Sequence, residues 1–209
     1  EEKTGGQILA IPHNGNLSNG MMFDVETLSG EPITANYAER RQRWEPLYET
    51  TQIKGDGEAH PLLSPDDEFA DYETLDLGNL DMSQAKTEEM LPGEYARSGL
   101  KRGLEFEQKL GVNPYKFGQV GSTDSHTSLP AVEEENFFGK HSGVEPSPER
   151  AMHVTLGGEH GKIMGYQMAS SGYAAVWATE NTREAIFDAM ARRETYATTG
   201  SRMLVRFFG

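Results

Sequence analysis

"EYARSGLKRGLEFEQKLGVNPYKFGQVGSTDSHT" (residues 94–127) reads as a helix, a strand and a polar turn in succession. Tyr95, Leu100, Leu104 and Leu110 recur at helical spacing, Gly111 suits the left-handed cap of a helix end, and Pro114 follows it. "YKFGQVG" then has the compact apolar pattern of a strand, and "STDSHTS" has the composition of a loop. A helix feeding directly into a strand is the repeating step of an α/β fold.

Working outward, "QILAIP" reads as a short buried strand closed by Pro12, with "HNGNLSNG" as the turn after it. "ANYAERRQRWEPLYE" predicts a helix with a boundary or kink at Pro46. "LLSPDDEFADYE" has the marks of a helix start: Ser64 as N-cap, Pro65 at the first helical position, and Asp66, Asp67 and Glu68 at the positive end of the dipole. Residues 133–172 are rich in Gly, Glu and Met with weak periodicity, and read as a long irregular insertion. "GYAAVWAT" predicts a buried strand, and "ENTREAIFDAMARRETYATTG" an amphipathic helix with Ile186, Phe187 and Met190 inward. "MLVRFFG" resembles a further strand, and Trp44 and Trp177 are candidate core residues. The alternation implies an α/β sheet or barrel with largely parallel strands.

A length of 209 residues suits one domain, and the 36% hydrophobic and 25% charged composition is that of a soluble globular chain. The formal charge of −14, with no basic patch, disfavours nucleic acid and anionic membrane surfaces as partners. No window is apolar enough for a membrane span. Without cysteine, any metal would be held by His, Asp and Glu. The opening "EEKTGGQILAIPH" and the final "MLVRFFG" both read as cuts inside a larger fold. No nucleophile elbow, P-loop or dinucleotide-binding glycine pattern occurs.

In an α/β architecture, ligands gather where strands end. His13 follows "QILAIP", and Asp124 with His126 follows "YKFGQV". An Asp-x-His pair in an extended turn can aim an anionic oxygen and an imidazole to one side, as a divalent metal requires. The same residues are common in turns for local hydrogen bonding, so the pair alone leaves a metal corner and a solvated loop both open. "IKGDGEAH" offers Lys54, Glu58 and His60, a cation, a carboxylate and an imidazole suited to proton transfer or anion positioning, or simply a solvated polar loop. Arg97 and Arg202 are candidates for clamping an anionic substrate group. His141, His153 and His160 read as loop histidines, and Met152, Met164 and Met168 as gap fillers or lid contacts.

"IPHNGNLSNG", "IKGDGEAHPLLSPDDEFADYE", "NPYKFGQVGSTDSHT", "VWATENTREAIFDAMARRETYATTGSR" and "VRFF" resemble, in order, successive signatures of a bacterial family known as domain of unknown function 3604. That family is similar to the polymerase and histidinol phosphatase (PHP) superfamily of metal-dependent hydrolases. The resemblance implies the C-terminal portion of a distorted PHP-like β/α barrel with His13, Asp124 and His126 as metal ligands. It also implies Zn, Mn or Fe as the cofactor and a small-molecule phosphate or related ester as substrate. Relatives of this kind commonly look exported, which points toward a periplasmic or secreted setting and leaves the compartment open. The departure is the missing His-x-His pair that opens the superfamily's site, since none of the six histidines is so spaced. That gap makes a non-catalytic PHP-like binding or interaction module the competing expectation.

Overall fold

The computed structural model describes residues 3–128, 140–143, 145–168 and 172–208. Thr34 caps the first helix, its hydroxyl accepting a hydrogen bond from the Tyr37 amide at 3.3 Å. Helix α1 (Ala35–Trp44) stops two residues before Pro46, whose ring disfavours helical backbone at Glu45 (φ −117°, ψ 61°). The residues after the proline do not resume the helix but form strand β1 (Leu47–Gln52). Strand β2 (Gly55–Asp56) turns back antiparallel on β1.

Helix α2 (Ala96–Leu110) ends on Gly111 at φ 77°, the left-handed conformation a residue without Cβ adopts freely. Strand β3 (Gly118–Gly121) then lies parallel to β1, giving the sheet order β2-β1-β3. A hairpin of β4 (Val154–Gly158) and β5 (Gly161–Met164) follows, and then β6 (Tyr173–Val176), α3 (Arg183–Ala191) and β7 (Thr195–Thr198), with β6 and β7 paired antiparallel.

The fold is therefore mixed α/β with small sheets. Among the described residues there is no closed barrel, and β1–β3 is the single parallel pairing between strands, beside an isolated parallel bridge of His126 with His141, so the expected dominance of parallel strands is corrected. "QILAIP" forms no strand: Ile8 is exposed, and the segment is held through Ala10 N to Trp44 O (2.7 Å) and Glu49 N to Pro12 O (2.9 Å). "LLSPDDEFADYE" forms successive turns rather than a helix. There the Asp67 carboxylate accepts from the Phe69 amide at 3.0 Å, a local bond that competes with the helical ladder.

The stretch read as an irregular insertion contains the β4–β5 hairpin, while residues 133–139, 144 and 169–171 of it lie outside the described ones. The C-terminal "MLVRFF" is exposed and without regular structure. Trp44 and Trp177 stand outside both core clusters, covered by the guanidinium groups of Arg43 and Arg206.

One core cluster gathers Phe23, Ile33, Ala38, Tyr48, Ala96 and Tyr115. Phe23 meets Tyr48 and Tyr115 edge-on, with ring centroids 5.0 and 5.5 Å apart. The fully buried residues of α2 are Ala96, Gly99 and Gly103, with Phe106 and Leu110 packing partly buried on the same cluster, whereas Leu104 is 65% exposed. A Cβ on Gly99 would lie 2.6 Å from Phe23 Cγ, so helix and ring are already in contact. Gly99→Ala is accordingly expected to destabilise the protein by about 1–3 kcal/mol through overpacking, whereas Leu104→Ala changes stability by less than about 0.5 kcal/mol. Urea unfolding of the two variants beside the wild type checks the contrast.

Candidate functional site

Strands β1 and β3 run in the same direction, so the residues after Gln52 and after Gly121 emerge at one edge of the sheet. Lys54 leaves from the first strand and Asp124 from the second, and their ammonium and carboxylate groups are in direct ionic contact. Lys140 reaches the same carboxylate, its Nζ 2.7 Å from Asp124 Oδ2, and also donates to the Asp124 backbone carbonyl. The other carboxylate oxygen, Oδ1, is 2.9 Å from His126 Nε2. Asp124 itself has φ 45°, a left-handed conformation that aspartate tolerates better than most residues.

The segment carrying Lys140 is tied to this loop by the His126 amide donating to the Lys140 carbonyl at 2.8 Å and by the His126–His141 bridge. The two imidazoles meet edge to face with centroids 5.4 Å apart. Glu49, whose side chain alternates to the face opposite Tyr48, accepts from Ser122 Oγ at 2.6 Å, and its other oxygen is buried without a hydrogen-bond partner. Both lysine side chains are 6% exposed, whereas the His126 side chain is 59% exposed. The cluster thus has two enclosed cations, a central carboxylate and one imidazole open to solvent.

Burial, together with the neighbouring Lys140 ammonium, pushes Lys54 down to about 7, against the pull of Glu49. Burial likewise brings Lys140 down to about 8. The Lys140 charge is the first cause holding His126 below its ordinary value, and burial is the first cause for His141.

The residues expected from "IKGDGEAH" divide among three environments. Lys54 and His60 are buried, so the solvated-loop alternative is corrected for both. Only Lys54 joins Asp124 and His126. His60 accepts from the Leu62 amide on Nδ1 (3.2 Å), a bond that assigns the proton to Nε2, which faces Asp76 at 3.2 Å. Glu58 is bound by Arg97 at 2.7 Å, and the same guanidinium holds Asp67 at 2.7 Å. The donor fork of Arg97 is therefore spent on two carboxylates of its own chain. Arg202 lies over the Tyr173 ring at 4.9 Å, on the β6–β7 side of the molecule.

His13 follows Pro12, whose carbonyl bonds to Glu49 of β1, but its exposed imidazole faces the Ile11 carbonyl at 3.4 Å and not Asp124 or His126. Sequence reasoning missed Glu49, Ser122, Lys140 and His141 as members of the cluster. Pro46 was the one available signal for Glu49, since a strand opening after it would have placed Glu49 opposite Tyr48.

Three side chains expected to fill gaps separate as well: Met168 packs on the second core cluster beside Ile163, Met164 is half-buried, and Met152 is exposed. His153 faces Glu145 at 3.3 Å and His160 is exposed. Among the described residues no three His, Asp or Glu side chains gather as a metal-ion group, and no helix is long and apolar enough to cross a membrane.

These features define a mixed α/β chain with a charged cluster at the carboxyl edge of its parallel strand pair. The chain belongs to the family described as Protein of unknown function (DUF3604), whose family model matches residues 1–209. No curated protein and no solved structure matches the chain.

Asp56 supports the loop that carries Glu58, its Oδ2 accepting from the Glu58 and Ala59 amides at 3.0 and 3.4 Å. Burial pushes its carboxyl up from 3.8 to about 6. An acid whose folded value is raised costs stability when ionised: the cost is absent below about pH 4, grows as pH rises through the window up to about 6, and is then constant. Asp56→Asn is therefore expected to be nearly neutral at pH 4 and to stabilise by at most about 3 kcal/mol above pH 6. Thermal melts of both proteins across this range check the sign and the window.

Proposed function

We propose that this chain is a single domain forming the later portion of a PHP-like metal-dependent hydrolase that acts on a phosphate or related ester. The observation that carries the reading is the convergence of Asp124, His126, Lys54 and Lys140 where β1 and β3 deliver their following loops. Carboxyl edges of parallel strands are where α/β folds place their chemistry. A carboxylate that already draws two cations, with an imidazole nitrogen 2.9 Å away, has the donor chemistry of part of a divalent-metal site.

Asp124 and His126 would hold the ion, with His13 as a further candidate from the neighbouring loop. The remaining donors would come from outside the described residues. When bound, Zn, Mn or Fe would supply an activated water and polarise the ester oxygen.

The chain's own residues do the rest of the work in this reading. His126, in contact with Asp124 through Nε2 and open to solvent, would orient that carboxylate beside the ion. Lys54 and Lys140, nearly buried, supply positive charge where an anionic leaving group would develop. Their enclosure strengthens that charge by excluding water. The separate partners of Glu58 and His60, Arg97 and Asp76, favour a positioning role for their loop over direct proton transfer.

In the full-length protein, His126→Ala is expected to lower hydrolysis of a responsive phosphate or sulfate ester by about 100-fold or more. Unchanged turnover across the panel would count decisively against the hydrolase. A non-catalytic PHP-like binding module is the second reading, favoured by the absence of any His-x-His pair. Elemental analysis of freshly purified full-length protein separates the two, since the hydrolase requires bound Zn, Mn or Fe and the module does not.

A further inference from the structure

We propose that Lys54 and Lys140 form an oxyanion subsite in which the Asp124 carboxylate is a built-in placeholder, displaced when the anionic group of a ligand enters. The inference rests on the reading of this cluster as the ester-hydrolysing centre and names which residues take the ester's anionic group. Two ammonium groups, each with three N–H donors, lie together in a nearly closed pocket. Among the described residues they meet, apart from each other, only the carboxylate and backbone carbonyl of Asp124. Among the described residues these are two oxygens of one residue for two ammonium groups, with Glu49 Oε1 buried nearby without a hydrogen-bond partner, and burying cations with so few acceptors is costly. A tetrahedral oxyanion offers several oxygens where the Asp124 side chain offers one carboxylate.

His126 contacts the other carboxylate oxygen from the solvent side, so the side chain keeps a partner when it leaves the lysines. Glu49 is near enough for its charge to act on both lysines, and its Oε2 is fixed by Ser122. That charge keeps the pair from being a site of unbalanced positive potential, so the anion must exchange for Asp124 rather than simply add.

The test is isothermal titration of the 209-residue chain with inorganic phosphate and, separately, inorganic sulfate, at constant ionic strength, without added metal, at about pH 6. Wild type is expected to bind, Lys54→Met and Lys140→Met each to weaken binding about tenfold or more, and Asp124→Asn to strengthen it severalfold. Binding of both anions assigns a general oxyanion site, and binding of phosphate alone assigns a phosphoester site.

No binding by wild type, equal binding by the lysine variants, or unchanged or weaker binding by Asp124→Asn would overturn the proposal. Should a variant fail to fold, phosphate-induced shifts of the Lys54 and Lys140 side-chain resonances in the unmutated chain support the subsite, and their absence overturns it. If the full-length protein hydrolyses no ester while these affinities behave as expected, the hydrolase reading fails and the subsite stands. If it hydrolyses esters while phosphate affinity ignores both lysines, the reverse holds.

Discussion

The parallel pairing of β1 with β3 is the constraint on which the rest depends. Leu47 opposes Gly118, Tyr48 opposes Gln119 and Glu49 opposes Val120, and the register then shifts so that Thr51 opposes Gly121. The extra residue, Thr50, is held by a bond from its hydroxyl to Gln119 Oε1 (3.2 Å) and by its carbonyl accepting from the Gly57 amide (2.6 Å). Such an irregularity re-aims the side chains beyond it. Before it, Tyr48 enters the aromatic core while Glu49 points to the other face. After it, the chain turns at Ile53 and Lys54, which are buried, and brings the Lys54 ammonium to the loop leaving β3.

A second buried ion pair holds the opposite flank. Glu94, fully buried, takes both carboxylate oxygens to Lys86 Nζ at 2.7 Å and accepts from the Gly20 amide at 3.2 Å. Lys86 in turn donates to the Asn16 carbonyl at 2.8 Å, and Asn16 Nδ2 donates to the Lys54 carbonyl at 3.0 Å. A continuous polar chain therefore runs from the entry of α2 to the backbone of Lys54. The two ion clusters differ in kind: around Glu94 every charged atom has a partner, as a purely structural pair requires, whereas around Asp124 two enclosed ammonium groups share one carboxylate and Glu49 Oε1 lies buried without a hydrogen-bond partner. That difference is the physical ground for treating one as scaffold and the other as a site.

Much of the scaffold was legible in the sequence because its signals are local. Gly111 ends α2 and Pro46 bounds α1, each through short-range backbone chemistry. The strand at Gly118–Gly121 and the turn bearing Asp124 and His126 were readable for the same reason. What local pattern could not supply was pairing. "QILAIP" has strand composition yet finds no regular ladder, and "LLSPDDEFADYE" has capping residues yet surrenders Asp67 to an Asx bond and to Arg97. Lys140 carries no signal of its own, being separated by many residues from the carboxylate it meets, and nothing in "IKGDGEAH" foretells that its three candidate residues take three different partners.

The net charge of −14 sharpens what the lysine pair implies. In a chain with such an excess of carboxylates, most lysines can find partners at the surface, and enclosing two of them together sets their mutual repulsion and desolvation against the attraction of Asp124 and Glu49. A fold that needed only to anchor the Asp124 loop could do so with one ammonium group or with a neutral hydrogen bond. The second cation is intelligible if the pocket's preferred occupant carries more negative oxygen than an aspartate. The surrounding acidic surface would then slow the approach of strongly charged anions while leaving short-range capture intact, a combination suited to a ligand whose charge is confined to one end.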